Sequence, residues 1–188
     1  QLDDMPLLPD HLKITDIPKM ENAEVADLMA RFEPLVKHFN RYLTIGGFPE
    51  LALSDDDLYA QRMLREDVVD KVIKRDVLTL FKVRSPLLME KLFLYLCMNS
   101  TEIFSATTAA KELDNISPNT IESYVDALVK SNLIYMAYPI AVGSKSVLKG
   151  RPKIYIADAA IRNAVLMVDD VLSDERELGL LIETTVYK

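Results

Sequence analysis

Two Ser-Pro dipeptides set the local structure in the middle of this chain. Ser85-Pro86 and Ser117-Pro118 each place a helix-capping hydroxyl before a proline, the residue that suits the first position of a helix. Apolar residues follow both dipeptides at helical spacing. We therefore expect two helices here, the second of which runs to about residue 131.

Shorter elements lie between and after these two helices. Ser105 is expected to cap a short helix over 106–113, and 133–140 is an extended, β-prone run. Residues 153–157 predict a second strand, and the intervening loop holds glycines and a proline. The order helix, short helix, helix, strand, loop, strand over 85–157 predicts a winged helix-turn-helix.

The first 80 residues predict helices and no strand. Residues 1–20 contain three prolines and are expected to be irregular. Helical spacing predicts one helix over 23–33 and another from Pro34 to the Gly46-Gly47 pair. An acidic start opens a longer helix over 57–76, with Leu58 among its inward-facing candidates. The expected fold class is mainly α with a small β-hairpin (α+β).

Composition narrows the chemistry that the chain can support. A single cysteine excludes a disulfide framework and a Cys-rich zinc site, and Cys97 is expected to be a core residue. Two histidines far apart in the sequence argue against a metal or catalytic centre, so we predict no metal site and no catalytic residue. No apolar run is long enough for a membrane span. We expect a soluble, cytoplasmic protein.

Charge bears on whether the predicted winged unit reads DNA. The formal net charge of -7 argues against nonspecific nucleic-acid coating. The second long helix also carries two acids, Glu122 and Asp126, which would repel phosphate. Candidate contacts to DNA or to another partner are the polar and basic residues of that helix and of the wing: Asn119, Lys130, Lys145, Lys149, Arg151 and Lys153.

Several short motifs occur together in a fixed order. They are Tyr42 with Gly46-Gly47-Phe48-Pro49-Glu50, Lys74-Arg75-Asp76, Ser117 with Thr120, Tyr124 and Leu128, Lys153-Ile154-Tyr155-Ile156-Ala157-Asp158, and Gly179 with Glu183. With them the chain resembles the C-terminal half of prokaryotic predicted ATPases of the AAA superfamily, which carry a C-terminal domain of unknown function.

This resemblance implies a domain organisation. Residues 1–20 would be the tail of a preceding P-loop domain that this chain lacks. Residues 21–80 would form a helical lid subdomain, and 85–157 the winged helix. Residues 158–188 would begin a truncated restriction-endonuclease-like region, with a helix over 159–168 and its acidic residues 169–177 in a loop. Because the sequence starts with Gln1 and stops behind an apolar helical series, we expect it to be a fragment.

The resemblance also implies site residues. The turn formed by Gly46, Gly47, Phe48 and Pro49 would contact a nucleotide held by the missing P-loop domain. The plainer interpretation of the same turn is a helix C-cap with an aromatic plug and a proline stop. Further residues that match family motifs are Asp76, Tyr124, Tyr155, Asp158 and Glu183. ATP and Mg would belong to the longer protein, and the fragment would bind no cofactor itself.

Three functions follow from these observations. The first is a regulatory lid and winged helix of an ATP-binding AAA-type ATPase, which relays nucleotide state to a DNA or protein partner and performs no catalysis itself. Its partners would be its own ATPase domain and a DNA or protein bound by the wing, with no membrane. The alternative is a stand-alone winged-helix DNA-binding transcriptional regulator. The third is an oligomerisation module that uses the helix over 57–76.

Overall fold

The computed structural model describes residues 6–7, 9–10, 12–81, 83–140, 150–168 and 170–187, with the side chains of 68–70 left out of that description. The helices of the described residues are α1 (Asn22–Phe32), α2 (Val36–Ile45), α3 (Pro49–Ala52), α4 (Asp57–Arg65), α5 (Leu78–Leu80), α6 (Pro86–Met98), α7 (Ala106–Glu112), α8 (Pro118–Lys130), α9 (Ala159–Leu166) and α10 (Glu175–Tyr187). The strands are β1 (Ile134–Ala137) and β2 (Lys153–Ile156). The fold is therefore mainly helical with a small antiparallel sheet, as the sequence predicts.

The chain divides into two units, residues 1–41 and 42–188. The first contains α1, whose bounds agree with the predicted 23–33 within one residue. It also contains a 3₁₀ helix over Ile14–Lys19, where the sequence predicted irregular chain. This short helix forms because the Asp16 carboxylate accepts the Lys13 N–H at 3.2 Å and so pairs one of the free amides at its start.

The second unit opens with the end of α2 and a long helical run. α4 is capped by the Asp56 carboxylate, which accepts the Tyr59 N–H at 2.9 Å. A wider π-helical segment over Glu66–Val77 and then α5 continue the run beyond the predicted end at residue 76. Leu58 is 62% exposed and was wrongly predicted to face inward. The buried face carries Ala60, Gln61 and Leu64, of which Leu64 was also predicted to face inward, and α4 packs against α9.

The helices α6, α7 and α8 form the main core. Ser85 and Ser105 cap α6 and α7 as predicted, and their hydroxyls accept N–H groups three residues ahead. Ser117 makes no such bond, so the second Ser-Pro dipeptide opens a helix through Pro118 alone. The large side chains that are fully buried include Met89, Leu92, Phe93, Leu96, Ile121, Leu128, Ile134, Ile154 and Ile156.

The sheet joins β1 and β2 in antiparallel register, with Ile134 opposite Ile156. Residues 101–104 also bond to the β2 region, through an isolated bridge between Ile103 and Lys153 that the sequence did not predict. The Thr101 N–H donates to the Ile154 carbonyl at 2.7 Å, and the Phe104 N–H donates to the Pro152 carbonyl at 2.8 Å. β2 therefore pairs with two partners in the described part of the chain.

The last two helices pack on this core. α9 lies within the predicted 159–168, but the acidic stretch expected as a loop is helical from Glu175 onward. The Asp174 carboxylate starts α10 because it accepts the N–H groups of Arg176 and Glu177 at 2.8 and 3.1 Å. Among the described helices, none has both the length and the apolar character needed to cross a bilayer.

Candidate functional site

The Gly46-Gly47 turn ends α2 in a conformation that favours glycine. Gly46 has φ +76°, and its N–H donates to the Tyr42 carbonyl at 2.8 Å. A Cβ at Gly46 would lie 2.5 Å from Oδ1 of Asp158 and 2.8 Å from Cβ of Ala160. Two motifs that stand more than a hundred residues apart in the sequence therefore touch at this turn.

The other three residues of the turn lie beside Tyr42, pack against the main core and start α3. A Cβ at Gly47 would lie 3.0 Å from Cε2 of the Tyr42 ring. Phe48 packs against the main core, and Pro49 is the first residue of α3. Pro49 thus starts a new helical turn, because its fixed φ suits that position, where the sequence suggested a proline stop.

A cavity of about 410 Å³ adjoins Pro49. Its lining is mainly apolar and is supplied by α3 and by the helical run that follows it: Phe48, Pro49, Glu50, Leu51, Leu64, Asp67 and Val72. The Asp67 carboxylate also pairs with Lys71. The cavity combines a flat apolar wall with carboxylates, which can accept hydrogen bonds from an amino group.

Asn163 of α9 holds the end of α2 beside this turn, and Asp158 caps the start of α9. Asn163 is fully buried, and its Nδ2 donates to the carbonyls of Leu43 and Thr44 at 2.9 and 3.2 Å. These carbonyls lie in the last turn of α2, where the helix offers no partner of its own. The Asp158 carboxylate caps α9 through the Ala160 N–H at 3.0 Å.

Arg162 connects α9 to two other helices. Its side chain is 5% exposed; Nε donates to the Cys97 carbonyl at 3.0 Å, and Nη1 donates to Oε2 of Glu177 at 2.6 Å. Cys97 is buried as predicted, and burial raises the pKa of its thiol. The Arg-Asn pair in the otherwise apolar sequence of α9 is the signal that sequence reasoning missed.

Three of the predicted residues form a second cluster, between β2 and α10. Oε1 of Glu183 accepts from Lys153 Nζ and from the Tyr155 hydroxyl, both at 2.9 Å. Tyr155 stacks on Tyr187 with ring centroids 4.0 Å apart. Burial, and then the bond to Glu183, raise the pKa of Tyr155 to about 12. Bonding to Lys153 first, and to Tyr155 as well, lowers the pKa of Glu183.

This cluster makes the attachment of α10 pH-dependent. Glu183 has a folded-state pKa below its ordinary 4.5, so its stabilising effect is complete above that value and is lost as pH falls through the folded pKa. We expect amide protection in α10, measured by hydrogen exchange and corrected for the intrinsic rate, to decrease as the pH is lowered from 4.5 through the folded-state pKa of Glu183. The Glu183→Gln variant should show low protection with little pH dependence. An unchanged acid response in that variant would contradict the assignment.

Two other motif residues lie away from both clusters. Tyr124 is buried in α8, and its hydroxyl accepts the Ser85 N–H at 3.0 Å, which ties the start of α6 to α8. Asp76 is exposed and pairs with Arg75 at 2.8 Å. The hydrogen bond from Arg75 lowers the pKa of Asp76. Both contacts are structural and bring neither residue to the glycine turn.

The predicted partner contacts divide into three groups. Asn119 and Lys130 are exposed on α8, and Lys130 pairs with Asp126 at 2.5 Å. Arg151 is exposed beside β2, whereas Lys153 is held by Glu183. Lys145 and Lys149 lie outside the described residues. Among the described residues, no group of three His, Cys, Asp or Glu side chains is placed to hold a metal ion.

Comparison with known proteins gives two matches. Residues 36–172 match the model of a family described as "Domain of unknown function (DUF8612)". The "Uncharacterized protein MJ1544" of Methanocaldococcus jannaschii is 24% identical over 182 residues, which cover 94% of this chain and 39% of that protein. The chain thus spans less than half the length of this relative. No solved structure matches it.

Proposed function

This chain belongs to the DUF8612 family, and we propose its role from its resemblance to AAA-superfamily ATPases together with its own geometry. It is a regulatory relay of an ATP-binding AAA-type ATPase whose P-loop domain lies outside this chain. The turn at Gly46, Gly47, Phe48 and Pro49 contacts the bound nucleotide. Nucleotide binding at this turn shifts residues 85–157, which engage a DNA or protein partner. The chain performs no catalysis.

The hydrogen bonds that α9 makes to both α2 and α6 are the main support for this proposal. Asn163 holds the end of α2, directly before the glycine turn, and Arg162 holds the end of α6, a core helix of residues 85–157. The two residues are adjacent on one helix that is buried over most of its length. A displacement of the turn is therefore passed to α6 through hydrogen bonds and packing rather than through a loop.

The cavity beside Pro49 supports nucleotide contact. An adenine ring is flat and apolar on its faces, and its exocyclic amine is a hydrogen-bond donor that a carboxylate such as Glu50 can meet. Triphosphate charge is poorly suited to the same acidic surroundings. The phosphates and Mg are therefore assigned to the P-loop domain, and the base to this cavity.

A winged helix is the fold proposed for residues 85–157. Support comes from the order α6, α7, α8, β1, β2 and from the bridge that pairs Ile103 with Lys153 of β2. The turn between α7 and α8 contains two residues in the left-handed region, Asp114 and Asn115. The tail over 1–20, the lid over 21–80 and the nuclease-like start over 158–188 remain predictions from the sequence.

The stand-alone DNA-binding regulator is disfavoured by charge placement. The exposed face of α8 presents Glu122 and Asp126, and the cation of Lys130 is already paired with Asp126. Lys153 is likewise paired with Glu183. A helix that enters the major groove needs unpaired donors on this face.

Substitution of Pro49 tests the nucleotide contact. In the complete gene product that carries this chain, Pro49→Ala should weaken ATP binding about tenfold, because the rigid apolar wall against the base is lost. Isothermal titration with a non-hydrolysable ATP analogue measures the change. Pro118→Ala is the matched control, since Pro118 also opens a helix and is exposed.

The two variants separate a local contact from a general effect of losing a proline. Pro118→Ala should bind the analogue as the wild type does. Equal affinity of Pro49→Ala and wild type would refute the nucleotide role of the turn. Absence of ATP binding by the complete wild-type protein would refute the ATPase assignment as a whole.

A further inference from the structure

A cleft of about 790 Å³ lies on the exposed side of α8. Aromatic side chains from three parts of the second unit line it: Phe104, Tyr135, Tyr138 and Tyr187. Tyr138 is 59% exposed and Tyr187 is 41% exposed, so their rings are open to a ligand. A volume of this size holds several side chains of a bound segment.

Among the described residues that line this cleft, carboxylates outnumber cations. Glu122 and Asp126 project into it from α8, and Glu122 has no ion-pair partner among the described residues. A second cavity of about 230 Å³ adjoins it, shares Phe104, Ser105 and Arg151 with it, and adds Glu102 and Glu112. The described lining of the two therefore holds four carboxylates and one guanidinium.

We propose that this cleft, here termed the α8 cleft, binds a segment of a protein partner that carries lysine or arginine between apolar residues. Cations are attracted to the faces of tyrosine and phenylalanine rings and to the carboxylates beside them. The apolar residues of such a segment match the aromatic walls. The net charge of -7 on the whole chain favours the approach of the same partner.

Two features of the cleft are compatible with this occupant. The Asp126–Lys130 pair is more than half exposed on both sides, so exchanging Lys130 for a cation of the partner costs little. Arg151 lines both cavities, and Glu102 and Glu112 line the second cavity with it. DNA is disfavoured, because its phosphates would face the carboxylates of α8.

The inference rests on the proposed function only in treating residues 85–157 as the partner-facing part of the chain. It requires no nucleotide, so it is measured on this chain without ATP. The Pro49 experiment and the binding experiment below can therefore fail independently of each other.

A short fluorescein-labelled peptide in which arginine alternates with leucine serves as the probe. We expect it to bind the chain, as measured by fluorescence anisotropy at low salt. The double variant Glu122→Gln/Asp126→Asn should raise its Kd about tenfold. Tyr138→Ala should raise the Kd about fivefold, because a cation–π contact of about 1 kcal/mol is lost. Circular dichroism verifies that each variant is folded.

The matched control removes the same number of charges elsewhere. Glu66→Gln/Glu175→Gln alters two exposed carboxylates that line neither cavity, and it should leave the Kd within about twofold of wild type. Equal weakening by both double variants would overturn the site. So would no binding of the arginine peptide, or equal binding of a peptide in which glutamate replaces arginine. Tighter binding of duplex DNA, weakened by Arg151→Ala, would also overturn it.

Discussion

Replacing Gly46 with alanine is expected to lower the free energy of unfolding by about 3 kcal/mol. The residue has φ +76°, and an L-residue in that region costs about 1–2 kcal/mol. The added Cβ would also lie 2.5 Å from Oδ1 of Asp158 and 2.8 Å from Cβ of Ala160. Both neighbours belong to the start of α9, so relief of the contact would require the turn and α9 to separate. Urea denaturation followed by circular dichroism measures the loss.

The same substitution at Gly179 is the control, with the opposite expected sign. Gly179 lies inside α10, and among the described residues no heavy atom outside the backbone of this helix and the two neighbouring residues lies within 4 Å of an added Cβ. Gly179→Ala should therefore raise the free energy of unfolding by about 0.5–1 kcal/mol. A loss below 1 kcal/mol at Gly46 would contradict the close packing of the turn on α9. A loss at Gly179 equal to that at Gly46 would assign both effects to other causes.

Local signals predicted the helices well. The helices α6, α7 and α8 begin and end within about a residue of the expected positions, because caps, prolines and apolar periodicity are properties of neighbouring residues. The failures were local too. Ser117 carries the same dipeptide as Ser85 but adopts φ -60° and ψ 130°, and its side chain makes no cap bond. Leu58 fits the helical period, yet it lies outside the buried face of α4, which carries Leu64.

Contacts between distant residues could not be read from the sequence. Asn163 bonds to the carbonyl of Leu43 across 120 positions, and no periodicity or spacing links such residues. The pairing of residues 101–104 with β2 was missed for the same reason, since its partner lies about fifty positions later. Which segments pair in a sheet depends on the tertiary fold and not on local sequence.

The motif residues show what resemblance adds and where it stops. Gly46 and Asp158 were named as members of separate motifs, and the structure brings them into contact. Lys153 and Glu183 were also named apart, yet they form one ion pair. Arg162 and Asn163, which join the glycine turn to the core, belonged to no motif that we recognised. The sequence motifs identified the turn at Gly46–Pro49 but not α9, the helix that holds it.

Replacing Arg162 with alanine is expected to lower the free energy of unfolding by about 3 kcal/mol. The guanidinium is nearly fully buried, and its removal leaves the Cys97 carbonyl without that donor and Glu177 without its cation. Removal of one partner from a buried pair costs about 3–5 kcal/mol, and the partial exposure of Glu177 places the value at the lower end. Urea denaturation gives the global loss, and hydrogen exchange should show α10 opening first.

An exposed ion pair supplies the control for this variant. Lys91 pairs with Asp114 at 2.8 Å, with side chains 46% and 73% exposed, so Lys91→Ala should change stability by about 0.5 kcal/mol or less. Arg162→Lys keeps the charge but cannot place two donors in the fixed fork of a guanidinium, so it should recover only part of the loss. A loss at Arg162→Ala as small as that at Lys91→Ala would mean that α9 does not fasten α6 to α10. The proposed relay would then lack its connection between the glycine turn and residues 85–157.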